Sequence, residues 1–180
     1  MAEPATWLTF HRHWRELADE LVQPPFVLID AAGLAAGWRG LPRDACAELE
    51  SLFDGDLADE LSEVGPYLGQ AAGWSEPVAR RLWPLLYDRS ALLLWPLDPE
   101  STFATLRRHL RKFNIVYDRQ GCPQYFRYCD PRVLLTLLYE AKPVVDCGPL
   151  LQPAAGLLTV DGADELQRVL LQGGRVPRIG

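Results

Sequence analysis

Two carboxylates stand where a chain can do acid–base work. Asp30 closes the apolar run Phe26-Val27-Leu28-Ile29, and Asp130 precedes Pro131 at a helix start. Paired carboxylates can exchange protons with a substrate. Each also has a structural use. Asp130 before Pro131 is a strong N-cap, and Asp30 can pair with an arginine or cap the turn that follows its strand. No nucleophile stands out. The chain has no G-x-S-x-G elbow, no P-loop and no G-x-G-x-x-G. Cys46, Cys122, Cys129 and Cys147 contain no CxxC pair, and His11, His13 and His109 are remote from them in sequence. A structural zinc site asks for closely spaced ligand pairs, and on a helix His11 and His13 point roughly 200° apart. No metal site, cofactor box or catalytic residue emerges, and the thiols are expected to be reduced and partly buried. A Cys–His pair assembled in space stays open. A small hydrolase with a cryptic carboxylate or Cys–His site is therefore the alternative reading. The densest basic run, Arg107-Arg108-His109-Leu110-Arg111-Lys112, fits a solvated helix end, a face for an acidic protein, or a phosphate-binding face.

The elements that must position these residues follow from periodicity. Trp7, Phe10, Trp14, Leu17 and Leu21 recur at 3, 4, 3 and 4, which predicts an amphipathic helix over about 6–22, stopped by Pro24-Pro25. Phe26–Ile29 and Ala91–Trp95 read as buried strands. Residues 31–40 are small and Gly-rich, a loop. Pro42–Phe53 fits a helix with Ala45, Leu49 and Leu52 inward, and 57–68 is ambiguous between helix and extended chain. Helices are expected from Ser75-Glu76-Pro77, with Pro84 kinking or ending it, and from Asp98-Pro99-Glu100. Residues 114–128 read as a β-hairpin around Asp118-Arg119-Gln120-Gly121. Helix follows from Pro131 to about Ala141, then a short strand at Val144-Val145, a loop over 150–156, a short helix over 164–171 and a frayed tail from Gly173. The expected fold class is α/β, a mixed β-sheet with a late β-hairpin, flanked by amphipathic helices. The expected division is a main domain over 5–150 and a short C-terminal extension over 151–180.

The chain has 180 residues, 48% of them hydrophobic and 23% charged, the composition of a folded globular chain rather than a disordered one. No apolar run approaches the ~20 residues of a membrane-spanning helix. The start, MAEPATWLTF, lacks the basic-then-apolar pattern of a signal peptide. The expected compartment is the cytoplasm, with no membrane partner. The formal net charge is −6, and eight acids fall between Asp44 and Glu63 with no Lys or Arg. An acidic chain is a poor start for nucleic-acid binding, so no nucleic-acid partner is expected.

Several segments together resemble one family. Phe26-Val27-Leu28-Ile29-Asp30-Ala31-Ala32 is similar to its "Y-x-L-L-D-A-A" strand, and Val64-Gly65-Pro66-Tyr67-Leu68 to its "A-P-Y-L" element. His109-Leu110-Arg111-Lys112-Phe113 is similar to "H-L-R-R-F". Phe126-Arg127-Tyr128-Cys129-Asp130-Pro131-Arg132-Val133-Leu134 is similar to "F-R-F-Y-D-P-R-V-L", and Gly148-Pro149 to a later "F-x-G-P". They occur in the family's order across about 26–150. The chain thus resembles the type VI secretion adaptor, or effector-chaperone, domain, first catalogued only as a domain of unknown function. The resemblance implies a non-enzymatic protein without cofactors. It would hold a toxin effector in the bacterial cytoplasm and help load it onto the VgrG spike. Many members look longer, with a further C-terminal helical lobe.

Within that frame Asp30, Phe126, Tyr128, Asp130 and Pro131 are expected to be structural motif residues. Arg127 is expected to fix the strand–helix corner, with Asp30 as a candidate partner, or to grip the effector. Arg132, in the first helical turn, is the better candidate contact. Trp38 and Trp74, each beside a glycine in a loop, are candidate interface anchors.

Overall fold

The computed structural model describes residues 5–35, 37–140 and 143–177. Its centre is a six-stranded sheet in the order β2-β3-β1-β4-β7-β8, formed by β1 (Phe26–Asp30), β2 (Cys46–Ser51), β3 (Pro66–Ala71), β4 (Ala91–Pro96), β7 (Ala154–Val160) and β8 (Leu166–Leu170). Every pairing is antiparallel. A separate two-stranded hairpin joins β5 (Ile115–Tyr117) to β6 (Pro123–Tyr125). The protein is α/β, with the late hairpin and the flanking helices that the sequence predicts.

Strand parity divides the core. Phe26 and Leu28 of β1 and Leu92 and Leu94 of β4 face α5 (Phe103–Leu110), α6 (Pro131–Tyr139) and α7 (Gly148–Leu151). Val27, Ile29, Leu93 and Trp95 face α1 (Ala5–Glu20) and α4 (Glu76–Tyr87). β1 and β4 are thus buried on both faces, which is why they read as unbroken apolar runs. The α1 stripe of Trp7, Phe10, Trp14 and Leu17 is fully covered. Pro84 lies inside α4, which continues to Tyr87.

Four expectations need correction. Residues 46–51 form the edge strand β2, not a helix. Ala45, Leu49 and Leu52 have helical spacing, but β3 offers an open edge, and β2 takes it with a bulge between Cys46 and Glu48. Only Gly40–Arg43 (α2) and Gly55–Glu60 (α3) are helical nearby. The helix expected from Asp98 begins at Phe103. Thr102 is its N-cap, with Oγ1 accepting from Thr105 N at 3.2 Å, while Asp98 Oδ1 accepts from Glu100 N at 2.9 Å in a turn. Val144-Val145 is not a strand. The C-terminal part is not an extension: 154–160 and 166–170 are strands of the main sheet, joined by a turn in which Asp161 Oδ1 accepts from Ala163 N and Glu165 N at 2.8 and 3.0 Å. The free edge of β7 selects strand over the helical spacing of 164–171. The helix end expected at Ala141 and the last three residues of the expected tail lie outside the described residues.

Gly156 marks the closest approach in the sheet. A Cβ there would stand 2.3 Å from Trp95 Cζ2 and 2.8 Å from the Val169 carbonyl oxygen. Neither a packed indole nor a ladder carbonyl can yield cheaply. Gly156→Ala is expected to cost about 1–3 kcal/mol. Gly162→Ala, whose added carbon meets nothing within 4 Å, should be nearly silent in the same thermal melt.

Candidate functional site

The segment from Phe126 to Asp130 turns the end of the hairpin into α6. Phe126 N donates to Asn114 O at 2.8 Å, and Asp130 N to Arg127 O at 3.1 Å. Phe126 and Tyr128 point inward, their rings edge-on at 5.7 Å. Tyr128 Oη lies 3.0 Å from both Leu110 O and Asn114 Oδ1, and Asn114 Nδ2 donates to Leu52 O at 2.7 Å. One buried network therefore ties α5, the hairpin and β2 to the corner. Asp130 caps α6 through Arg132 N at 3.0 Å, with Pro131 buried in the first turn.

Asp30 shares a sheet face with Phe26 and Leu28, so its carboxylate emerges beneath this corner. Arg127 Nη2 donates to Asp30 Oδ2, and Asp30 Oδ1 accepts from Ala32 N at 3.3 Å. Arg127 Nη2 also lies 3.5 Å from Asp130 Oδ2. Arg132 grips Asp130 with two bonds, Nε to Oδ1 at 2.9 Å and Nη2 to Oδ2 at 2.8 Å. The side chains of Asp30 and Asp130 are 4% and 5% exposed, those of Arg127 and Arg132 40% and 59%. The acids are buried and the guanidinium groups face outward.

Burial alone would raise the Asp130 carboxyl. The side-chain and backbone hydrogen bonds from Arg132 and the charges of both arginines outweigh it and hold the carboxyl below its ordinary value. A depressed folded-state value stabilises the fold above the ordinary carboxylate range, and that stability is lost as pH falls through the lowered value. Asp130→Asn keeps a capping oxygen but loses the charge. It should melt lower than the native chain at pH 7, and the gap should close as pH falls below the ordinary carboxylate range in an acid series of thermal melts.

Arg127, Asp30, Phe126, Tyr128, Asp130, Pro131 and Arg132 therefore form one assembly, as their motif spacing suggests. Trp38 and Trp74 do not join it. Trp38 is 4% exposed and packs edge-on against Tyr67 at 5.0 Å, so it is a core residue and no exposed anchor. Its loop folds back because Arg39 donates to Tyr67 Oη at 2.6 Å and to Ser62 O. Trp74 is half-buried against Trp14, ring centres 5.1 Å apart, and its carbonyl accepts the Trp14 indole N–H at 2.8 Å. It pins α1 to the body of the protein.

Sequence reasoning missed the outward face of the hairpin. Ile115 is opposite Tyr125 and Tyr117 opposite Pro123, and all four are exposed. Val116, on the other face, packs on the core. Gly121, at φ 82°, closes the turn, whose Asp118 Oδ1 accepts from Gln120 N and Cys122 N at 2.9 and 2.8 Å. The signal was the alternation itself, which places Tyr125 and Arg127 on one side.

Arg107 and Arg111 of the basic run over 107–112 are engaged internally, while Arg108 and Lys112 are exposed. Arg107 donates to Ser51 O at 2.9 and 2.7 Å and pairs with Glu50 and Asp54, and Arg111 pairs with Asp54. Burial pushes the thiols of Cys46 and Cys147 up to about 12 and about 11, and also holds Cys129 well above its ordinary value, which opposes a thiolate nucleophile at these three positions. The His109 ring nitrogen Nε2 lies 3.1 and 3.0 Å from the carbonyls of Pro149 and Leu150. Among the described residues no group of His, Cys, Asp and Glu is arranged to hold a metal ion, and no helix is long and apolar enough to cross a membrane. A cleft of about 640 Å³ between α6 and the 172–176 turn is lined by Leu137, Leu138, Pro143 and Val176 with Asp146 and Arg175 ion-paired at its rim.

A six-stranded antiparallel sheet between two helical layers, with an ion-paired corner of two acids and two arginines beside an exposed hairpin, defines an α/β protein. The chain belongs to the family described as domain of unknown function DUF4123, which it matches over residues 25–147. No curated protein and no solved structure matches it.

Proposed function

We propose that this chain is a non-enzymatic adaptor of a bacterial type VI secretion system that binds a toxin effector in the cytoplasm and helps load it onto the VgrG spike. Membership of the DUF4123 family, across a segment that holds every resembling motif but Gly148-Pro149, carries this reading. The corner supports it. Both carboxylates that a hydrolase could have used are taken up by Arg127 and Arg132, and burial raises the thiols of Cys46, Cys129 and Cys147 above their ordinary values. What the most specific motif builds is a rigid turn with outward guanidinium groups, a chemistry of contact.

The test is co-purification of the tagged full chain from its own bacterium under secretion-permissive growth, with mass spectrometry. One dominant toxin-like partner, with or without the spike protein, is the expected result. A chain that purifies alone, or carries nucleic acid that high salt removes, would overturn the adaptor reading.

A further inference from the structure

The outward face of the hairpin is a two-stranded sheet surface that no other element covers among the described residues. Ile115, Tyr117, Pro123 and Tyr125 line it, and Tyr117 is 72% exposed. Contiguous apolar rows of this kind are normally covered. The face is held rigid from below: the Tyr125 ring rests on Phe53 at 5.4 Å, and Val116 anchors the reverse side in the core. Rigid tyrosines supply much contact area at little entropic cost.

The charges beside it have a definite sense. Arg127 lies two residues beyond Tyr125, the last residue of the hairpin's second strand. Arg132 follows through the shared Asp130. Because Asp30 and Asp130 are buried under them, the groups that a partner meets at the corner are guanidinium faces, while the hairpin turn exposes Arg119 beside Asp118, whose Oδ1 is held by the Gln120 and Cys122 N–H groups. The four-residue network is nonetheless neutral in sum. A polyphosphate needs several uncompensated cations, whereas a few carboxylates set among apolar side chains match this surface, each able to meet an oriented guanidinium.

Resting on the adaptor reading, we propose that the outward hairpin face, with Arg127 and Arg132 at its end, is the docking surface for an acidic, apolar-rich segment of the protein this chain carries. Tyr117 and Tyr125 bury the segment's apolar side chains, and the arginines take its carboxylates.

The test places the photoreactive residue p-benzoylphenylalanine in the full chain, made in its own bacterium, at Tyr117 or Tyr125. Tyr87 and Val22, exposed on other parts of the surface, serve as controls. Cross-linked peptides are sequenced, and a synthetic peptide of the captured segment is titrated onto the purified full chain by fluorescence anisotropy. The expected result is one segment captured at both hairpin positions and at neither control, rich in acids and apolar residues. Its affinity should fall about ten-fold or more with Tyr117→Ser, with Arg132→Gln, or with the peptide's acids changed to amides. Tyr117 is so exposed that its substitution leaves the fold intact, which a thermal melt checks. Equal capture at the controls, a basic segment, a second copy of this chain, nucleic acid, or unchanged affinity would each overturn the proposal. If a toxin or spike protein co-purifies but cross-links elsewhere, the docking surface fails and the adaptor reading stands. If the captured segment is acidic and apolar but belongs to neither kind of protein, the adaptor reading fails and the surface stands.

Discussion

A chain ended after Leu150 is expected to lose its native fold altogether. β7 pairs with β4 from Leu93 to Pro96 and places Leu157 and Leu158 on opposite faces of the sheet, both fully buried. β8 follows with Val169. Fully burying a Leu or Val side chain is worth about 1.5–3 kcal/mol, so Leu157, Leu158, Val160 and Val169 together are worth about 6–12 kcal/mol. That equals the whole net stability of an ordinary domain, about 5–15 kcal/mol. The truncated chain would also leave the β4 edge open between two uncovered core clusters, an aggregation surface. The expected result is insoluble protein, or soluble protein with no cooperative transition in a urea titration, whereas a chain ended after Pro177 should unfold cooperatively. A cooperative transition in the 1–150 chain would show that β7 and β8 are accessory after all. The same reasoning applies at the other end. The family match begins at residue 25, yet α1 covers Val27 and Ile29, so the matched segment alone lacks one of the two helices that close this face.

Arg127→Met should be the most damaging single change at the corner. It removes the guanidinium from Asp30 and leaves a buried carboxylate with one backbone N–H at 3.3 Å. Breaking a buried pair by removing one partner costs about 3–5 kcal/mol. Arg127 is itself 40% exposed, so water reaches part of the pair and the lower end, about 3 kcal/mol, is expected. For a chain of this size that is a melting temperature lower by about 6–12 °C. The double change Asp30→Asn with Arg127→Met removes the stranded charge and should recover more than half of the loss, a coupling that a double-mutant cycle measures. Additive losses would mean that Asp30 and Arg127 act independently. Arg132→Gln is expected to cost less, because Asp130 keeps its backbone bond and its contact with Arg127. Arg132 can therefore be varied for binding, while Arg127 cannot be varied without a stability control.

Local chemistry was legible in the sequence wherever it was self-sufficient. The α1 stripe, the two doubly buried strands, the Asp118–Gly121 turn and the Asp130-Pro131 cap each carry their cause within a few residues, and each forms as read. The inward pair Phe126 and Tyr128 and the outward Arg127 follow from alternation alone. The order of the motifs sufficed to indicate the family. Tertiary structure decided whatever depended on a partner distant in sequence. β2 and β8 are strands because β3 and β7 present open edges, and no propensity within 46–51 or 166–170 announces that. Trp38 lies in a glycine-bracketed loop that reads as exposed, but Arg39 closes it onto Tyr67. The basic run over 107–112 is open in sequence between a solvated helix end and a binding face, and only the fold brings Glu50 and Asp54 to its Arg107 and Arg111. The sign of the corner's surface belongs to the fold as well. Asp30 and Arg127 are 97 residues apart, and only the sheet's pleat, which turns Asp30 toward the corner, buries the acid and leaves the arginine facing solvent.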